Sequence, residues 1–337
     1  MIKKIYLTLF ICLFIWSCDT PKNESPQLQE NEKLLRSISR TKFDVEEKFG
    51  EPIAVFDYQE IEIYDKNGNL TEIAYYDSLG NPSTMYSGKV HKEKYIYNED
   101  NKEVRHSRFD LNGDYVSEYS AWVTIVTKYD SLGNESERIG YNKWEDIDFI
   151  VKYRTDINGI EVAVTYDKDN NVERESYTTY DSNRNVIKTV TYGEDGKSSN
   201  RRLSTNVYNS DNKQIKMTLD CNFDCFLYEY LGKEQNLVYN DKGYLIEQIF
   251  TYPDDIKYEN STSKIILRYD DNNRLVEEVK FNKDGQPLLG RYKTSKTTYE
   301  YFDDNSYEVI RYYATEKFGE LVYEVLWKEL IQEEFYE

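Results

Sequence analysis

Four cysteines and two histidines carry the thiol and imidazole chemistry open to this chain. Cys12 lies inside an apolar stretch and Cys18 ends it, so Cys221 and Cys225 are the thiols left to a mature domain. In an oxidising compartment those two close the Asn222-Phe223-Asp224 loop as a structural disulfide, the alternative being two buried thiols. Three intervening residues instead of two weigh against a thioredoxin-like redox pair. His91 and His106 have no Cys/His ligand spacing around them, so structural histidines are favoured over metal ligands. Asp167-Lys168-Asp169-Asn170-Asn171 reads as a fragment of a calcium loop, yet the closing bidentate Glu and the fixed Gly are missing. Nucleophile-elbow, phosphate-loop and zinc-protease patterns do not occur, and no metal or cofactor is expected. In so acidic a chain a catalytic Asp/Glu pair stays open as a class, but no particular pair stands out. Trp122 and Trp144 fall in less regular insertions, where buried strand-end rings are the commoner case and exposed rings stacking on sugar the sharper one.

The N-terminus decides where these groups work. Lys3 and Lys4 precede an apolar run of 11 residues, Ile5 to Ile15, which is too short to span a bilayer and has the form of a secretion signal. The run ends in Ile15-Trp16-Ser17-Cys18, which resembles the lipobox of bacterial lipoprotein signal peptides, with Trp16 where that family usually has a small residue. The resemblance implies that residues 1–17 are removed, that Cys18 is acylated and becomes the first residue, and that the chain is held on a membrane. The expected location is the bacterial cell envelope, at the outer membrane. Residues 18–30 are polar and carry no apolar periodicity, which describes a flexible tether.

Composition narrows the partners. The formal net charge of −19 becomes more negative once Lys3 and Lys4 leave, so there is no cation excess to displace phosphate counterions and nucleic acid is excluded as a partner. The chain has 33 Tyr, 14 Phe and 4 Trp, an excess that suits pleated surfaces where one ring edge stays wet.

The elements that must position any site follow from a repeated phrase: an aromatic, then Asp or Asn, two variable residues, then Gly or Asn. Copies begin at Tyr64, Tyr76, Tyr97, Phe109, Tyr129, Tyr166, Tyr180, Tyr208, Tyr239, Tyr269 and Phe281. Asp65, Asp77, Asp110, Asp130 and Asp270 can each accept a backbone N–H two residues on and so start a turn. The fifth position holds Gly68, Gly80, Gly113, Gly133 and Asn273, residue types that adopt positive φ cheaply. Arg184 breaks the rule after Tyr180, and Asn183 or Asn185 is expected to take the left-handed position there. Tyr64 to Tyr76 spans 12 residues and Tyr76 to Tyr97 spans 21, which implies a two-hairpin unit of roughly 32 residues.

Between turns, segments such as Val186 to Tyr192 and Leu275 to Phe281 have strand composition. Residues 31–50 read as a short helix, with Leu34, Leu35 and Ile38 on one face and Gly50 and Pro52 as a stop. The stretch Val45 to Pro52 is faintly similar to the opening of small outer-membrane lipoproteins. Leu321 to Leu330 fits a helix face or a final strand, with the strand favoured.

The phrase, in stretches such as Leu267-Arg268-Tyr269-Asp270-Asp271-Asn272-Asn273-Arg274-Leu275, resembles the YD repeats of bacterial Rhs-type surface proteins over roughly residues 60 to 310. That family builds β-sheet shells or stalks that bind carbohydrate or enclose cargo. The repeat length varies here and several copies have Asn for Gly, so the expected fold is all-β: an elongated, open antiparallel repeat sheet, a YD- or MORN-like hairpin meander over residues 51–337. The expected function is a membrane-anchored, non-enzymatic surface for a protein or carbohydrate ligand. An envelope polysaccharide hydrolase and an immunity or antitoxin-like repeat protein are the alternatives.

Overall fold

The computed structural model describes residues 34–48, 51–84, 89–116, 122–193, 201–221, 232–252, 261–289, 294–302, 305–317 and 320–335. Twenty strands follow in chain order, beginning with β1 (Leu35–Lys48), β2 (Glu51–Tyr64), β3 (Leu70–Tyr76), β4 (Lys92–Tyr97), β5 (Glu103–Phe109), β6 (Trp122–Tyr129), β7 (Glu135–Asn142), β8 (Ile147–Thr155), β9 (Glu161–Asp167) and β10 (Val172–Tyr180). They continue with β11 (Val186–Tyr192), β12 (Arg202–Tyr208), β13 (Gln214–Cys221), β14 (Glu234–Tyr239), β15 (Leu245–Thr251), β16 (Lys264–Tyr269), β17 (Leu275–Phe281), β18 (Lys296–Tyr301), β19 (Ser306–Lys317) and β20 (Glu320–Phe335). Each pairs antiparallel with its chain neighbours, and β1 pairs with both β2 and β20, so the sheet closes on itself as a barrel.

Closure corrects the expectation of an elongated open sheet. It also corrects the helix expected over residues 31–50: Leu35–Lys48 is a strand, and no helix occurs among the described residues. Helical spacing of Leu34, Leu35 and Ile38 is outweighed by backbone pairing along two long neighbours, from Ser37 opposite Ile63 to Lys48 opposite Glu51 on one side and from Leu35 opposite Phe335 to Asp44 opposite Trp327 on the other. The C-terminal segment is the strand β20.

The turns have one geometry. Asp65 Oδ1 accepts the backbone N–H of Asn67 at 2.8 Å and of Asn69 at 2.9 Å, and Gly68 N donates to the Asp65 carbonyl at 3.0 Å with φ of 81°. The same arrangement occurs at Asp77 with Gly80, Asp110 with Gly113, Asp130 with Gly133 and Asp270 with Asn273. After Tyr180 the left-handed residue is Arg184 itself, φ 66°, and neither flanking Asn. Its guanidinium packs over the Tyr180 ring at 5.1 Å and reaches Glu161 at 3.4 Å.

Turns after even-numbered strands all lie at one end of the barrel, the end at which β1 begins; we call it the near rim. Connections after odd-numbered strands lie at the far rim. Near-rim turns join one another: Asn69 donates to Asn101, Asn183 to Asn212, Lys102 to the Gly133 carbonyl and Lys213 to the Gly243 carbonyl.

Backbone pairing is uneven. Within a hairpin such as β16–β17 it runs from Lys264–Phe281 to Tyr269–Leu275, whereas the junctions β3–β4, β13–β14, β15–β16 and β17–β18 hold three residue pairs each. Two side-chain devices reinforce those junctions. On one face an ion pair crosses each: Glu72–Lys92, Lys216–Glu234, Glu247–Lys264 and Glu277–Lys296. On the other face the phrase's tyrosine reaches over the junction to a backbone carbonyl, as Tyr239 to Gln214, Tyr269 to Leu245 and Tyr301 to Leu275, at 2.9, 2.9 and 3.0 Å.

The most exposed strand positions, among them Ile63, Ile96, Val207 and Val238, lie on the ion-pair face, which is therefore the outside of the ring. The tyrosine face is more crowded because side chains converge inside a closed sheet. A ring much larger than about eight strands encloses more space than its side chains fill.

Three outcomes follow from this chemistry. Gly80→Ala, with open space around its Cβ but φ of 77°, is expected to cost about 1 kcal/mol in denaturant melts, Gly80→Asn to be nearly neutral, and Arg184→Gly to stabilise by less than about 1 kcal/mol. Tyr269→Phe is expected to cost about 1 kcal/mol by loss of the junction hydrogen bond. The carboxyl groups of Asp77, Asp167 and Asp181 are held below the usual Asp range by the side-chain amide and then the backbone N–H of the Asn four residues on. Their stabilisation is complete above the unfolded pKa of about 4 and is lost as pH falls through the depressed folded values. Glu60, Glu103 and Glu329, raised by burial, act oppositely and gain stability as pH falls through their raised values. Thermal melts across pH should rise gently below neutrality and then fall below about pH 4; a decline beginning at neutral pH contradicts this assignment.

Candidate ligand-binding groove at the far rim

A departure from regular meander lies where β5, β6 and β7 meet the far rim, one of three described places where the chain folds back after a turn, with Tyr76 opposite Pro82 and Phe281 opposite Pro287 as the others. After Phe109 the chain makes the phrase's turn and continues as a short return, so that Tyr115 pairs opposite Phe109 and their rings stack at 5.2 Å. The return places Tyr115 Oη 2.7 Å from Arg105 Nη2, which donates to it, while Arg105 Nε donates to Ser107 Oγ at 3.3 Å. β6 enters with an irregularity between Trp122 and Thr124 that leaves Val123 2% exposed beneath the groove.

The third wall is a turn not marked by the repeated phrase. Tyr141-Asn142-Lys143-Trp144-Glu145 has Glu at the left-handed position, with φ of 64°, and Asn142 Oδ1 accepts the N–H groups of Trp144 and Asp146 at 2.9 and 3.1 Å. A side chain with a Cβ costs of the order of 1 kcal/mol in that conformation, which Gly or Asn would reduce. Glu145 therefore holds a strained position at the mouth of a cavity of about 340 Å³ lined by Arg105, Tyr115, Thr124, Val126, Tyr141 and Asn142. Trp144 stands beside it, 71% exposed, with Lys143 Nζ 4.5 Å from its ring centre. The groove thus offers two phenol rings, a guanidinium, an amide and a carboxylate around Val123 and Val126, with the exposed Trp144 next in sequence to Glu145.

The inner wall carries the other concentration of ionisable groups. His106 Nε2 lies 2.6 Å from Glu93 Oε2, Arg108 Nε lies 3.6 Å from Glu93 Oε1, and Tyr95 donates to Glu93 at 3.2 Å. Tyr95 stacks on the His106 ring at 4.4 Å, and Arg108 lies 3.8 Å from the centre of the Trp122 ring. Burial alone would raise the Glu93 carboxyl, but the His106 hydrogen bond and the Arg108 charge outweigh it and hold Glu93 below the usual range. Burial raises the neighbouring phenol of Tyr95, and Tyr97 is pushed up to about 12 by burial and by Glu103. These groups answer one another within the wall as an ion and ring network.

The remaining sequence candidates distribute as follows. Cys18 and Cys225 lie outside the described residues, as does the Cys221 side chain. His91 is buried, with Nδ1 2.8 Å from the Ser83 carbonyl and its ring edge-on to Tyr76. The Asp167 carboxylate accepts from Asp169 N, Asn171 N and Asn171 Nδ2, all at 2.9 Å or less, so its oxygens serve the turn. Trp122 is buried at 8% and Trp144 exposed, so the two singled-out tryptophans have different roles. Arg105, Tyr115, Tyr141 and Glu145 were not singled out: Glu at the fifth position hides the turn, and only folding brings Tyr115 to Arg105.

No family model and no curated protein matches the chain. Among solved structures, a porin-like protein from Bacteroides uniformis ATCC 8492 aligns over 90% of this chain and 98% of its own, with 12% sequence identity and a TM-score of 0.26.

Proposed function

We propose that this chain is a lipid-anchored, non-enzymatic envelope protein whose barrel, built from YD-type repeats, binds a glycan in the far-rim groove. The observation that carries the reading is the Glu145 turn: a strained left-handed backbone places a carboxylate in one groove with Tyr115, Tyr141 and Arg105. Aromatic faces suit the C–H faces of sugar rings, while the guanidinium, amide and carboxylate suit their hydroxyl groups. Anchoring rests on the Lys3 to Cys18 signal. Attachment by a tether, without strands crossing the lipid, is supported by the outer face, where Glu72, Lys216 and Glu247 sit inside their strands. Lysine at the midplane of a bilayer would cost about 2–4 kcal/mol per residue. Most strands also run six to eight residues, shorter than the roughly nine to eleven a crossing strand needs.

A cell-envelope glycan array probed with the full protein, followed by titration calorimetry on the retained glycan, tests this reading. Tyr141→Ala, Arg105→Ala and Trp144→Ala should each weaken binding about tenfold or more, equivalent to about 1.4 kcal/mol, with the melting temperature little changed for the exposed Trp144. Glu145→Gly should raise stability and weaken binding together, the signature of strain kept for a ligand. Retention of no glycan, or binding indifferent to all four changes, overturns the assignment; retention of a protein instead would place the groove in a different class of recognition.

A further inference from the structure

The near rim differs from the far rim in what lies just below it. On the outer face, the residue preceding the phrase's aromatic recurs on several even-numbered strands as Ile63, Ile96, Val207 and Val238, which are 39, 53, 49 and 38% exposed, and as Lys128 and Arg268, each paired with a carboxylate of the next strand, Glu137 and Glu277, while β10 has Thr179 there. These positions come at the same level and form an interrupted girdle below the near rim. Above it, on neighbouring near-rim turns, Leu132 is 85% and Ile157 100% exposed. Exposed tips occur on the far rim as well, Leu79 at 84% and Leu111 at 54%, so it is the apolar positions below the turns that set the near rim apart.

The chain outside the described residues also ends here. β1 begins at Leu35 on the near rim, with Leu34 51% exposed, and Cys18 is 16 residues before Leu34 in sequence. Sixteen residues of random coil have a root-mean-square span of roughly 20–25 Å, so an anchor at Cys18 would hold the near rim within reach of the bilayer surface. Branched apolar side chains with Lys and Arg among them are the composition of a lipid interface: the apolar groups enter the acyl boundary and the cationic stems extend to phosphate.

We infer that the near rim and its girdle form a lipid-docking face that seats the barrel upright on the membrane, leaving the far-rim groove pointing away from it. This rests on the anchored reading of the N-terminus. The chain as a whole is strongly acidic, so the surface it fits is a zwitterionic one rich in phosphatidylethanolamine, whose ammonium groups meet the rim carboxylates and whose phosphates meet Lys128 and Arg268.

The test uses the full chain reconstituted in vesicles of phosphatidylethanolamine and brominated phosphatidylcholine, with Leu132→Trp, Ile157→Trp and, on the far rim, Leu79→Trp, each compared with the parent protein. Bromine should quench the added emission of the two near-rim variants and leave that of Leu79→Trp unchanged. Unquenched Leu132→Trp and Ile157→Trp, or equal quenching at Leu79→Trp, overturns the inference, and unquenched tips with concentration-dependent self-association would assign the rim to a second copy instead. Intact mass of the same preparation reports acylation of Cys18 separately. In a non-acylated preparation, quenching at Leu132→Trp and Ile157→Trp but not at Leu79→Trp would still place the rim on lipid.

Discussion

The whole structure depends on how one hairpin is joined to the next. A hairpin of six or seven residues per strand satisfies its own backbone along one edge and leaves the other open. At the junctions β3–β4, β13–β14, β15–β16 and β17–β18 only three residue pairs close that gap. The outer ion pair contributes little alone, since exposed pairs are worth at most about 1 kcal/mol. The inner tyrosine does more, because its ring fills the splayed end of the junction while its hydroxyl satisfies a carbonyl that no strand reaches. This accounts for the high tyrosine content and for the aromatic preceding the Asp: the ring is the mortar between units and the Asp starts the bend that follows.

A chain of such units would end in two open edges, and the long strands at the termini remove them. β19, β20, β1 and β2 form a continuous seam of extended pairing, where Arg40 on β1 meets Glu60 and Glu62 of β2 and Arg311 of β19 packs 4.2 Å from the Trp327 ring of β20. The seam joins the first described strand to the last, so Leu35 and Phe335 share the near rim, at the end of the barrel away from the groove.

What was legible in the sequence was local. Asp at the second position and Gly or Asn at the fifth are written in consecutive residues, and the turn geometry needs nothing from elsewhere. Residues that break the rule show how tertiary context intervenes. Arg184 takes the left-handed conformation despite Asn on both sides because ring packing and Glu161 hold it, and Glu145 takes it at the groove mouth. The first strand was misread because three apolar residues at helical spacing carry no information about two partner strands, one of them lying some 290 residues away at the other end of the chain. Closure was illegible for the same reason: an open and a closed meander share every turn, and differ only in whether β1 meets β20. The groove required Arg105, Tyr115 and Tyr141 to be brought together by an irregular strand entry, for which the sequence has no short motif.

Closure is the claim on which the seam, the two rims and the two faces all rest, and it is tested most directly by cross-linking across the seam. Ser39 lies opposite Gln332 on β20, and Thr41 lies opposite Gln59 on β2. Cysteines introduced as Ser39→Cys with Gln332→Cys should be joined by a short bifunctional maleimide as efficiently as Thr41→Cys with Gln59→Cys, with both links mapped by peptide mass. A link between β1 and β2 without any link between β1 and β20 would show an open sheet and contradict the barrel.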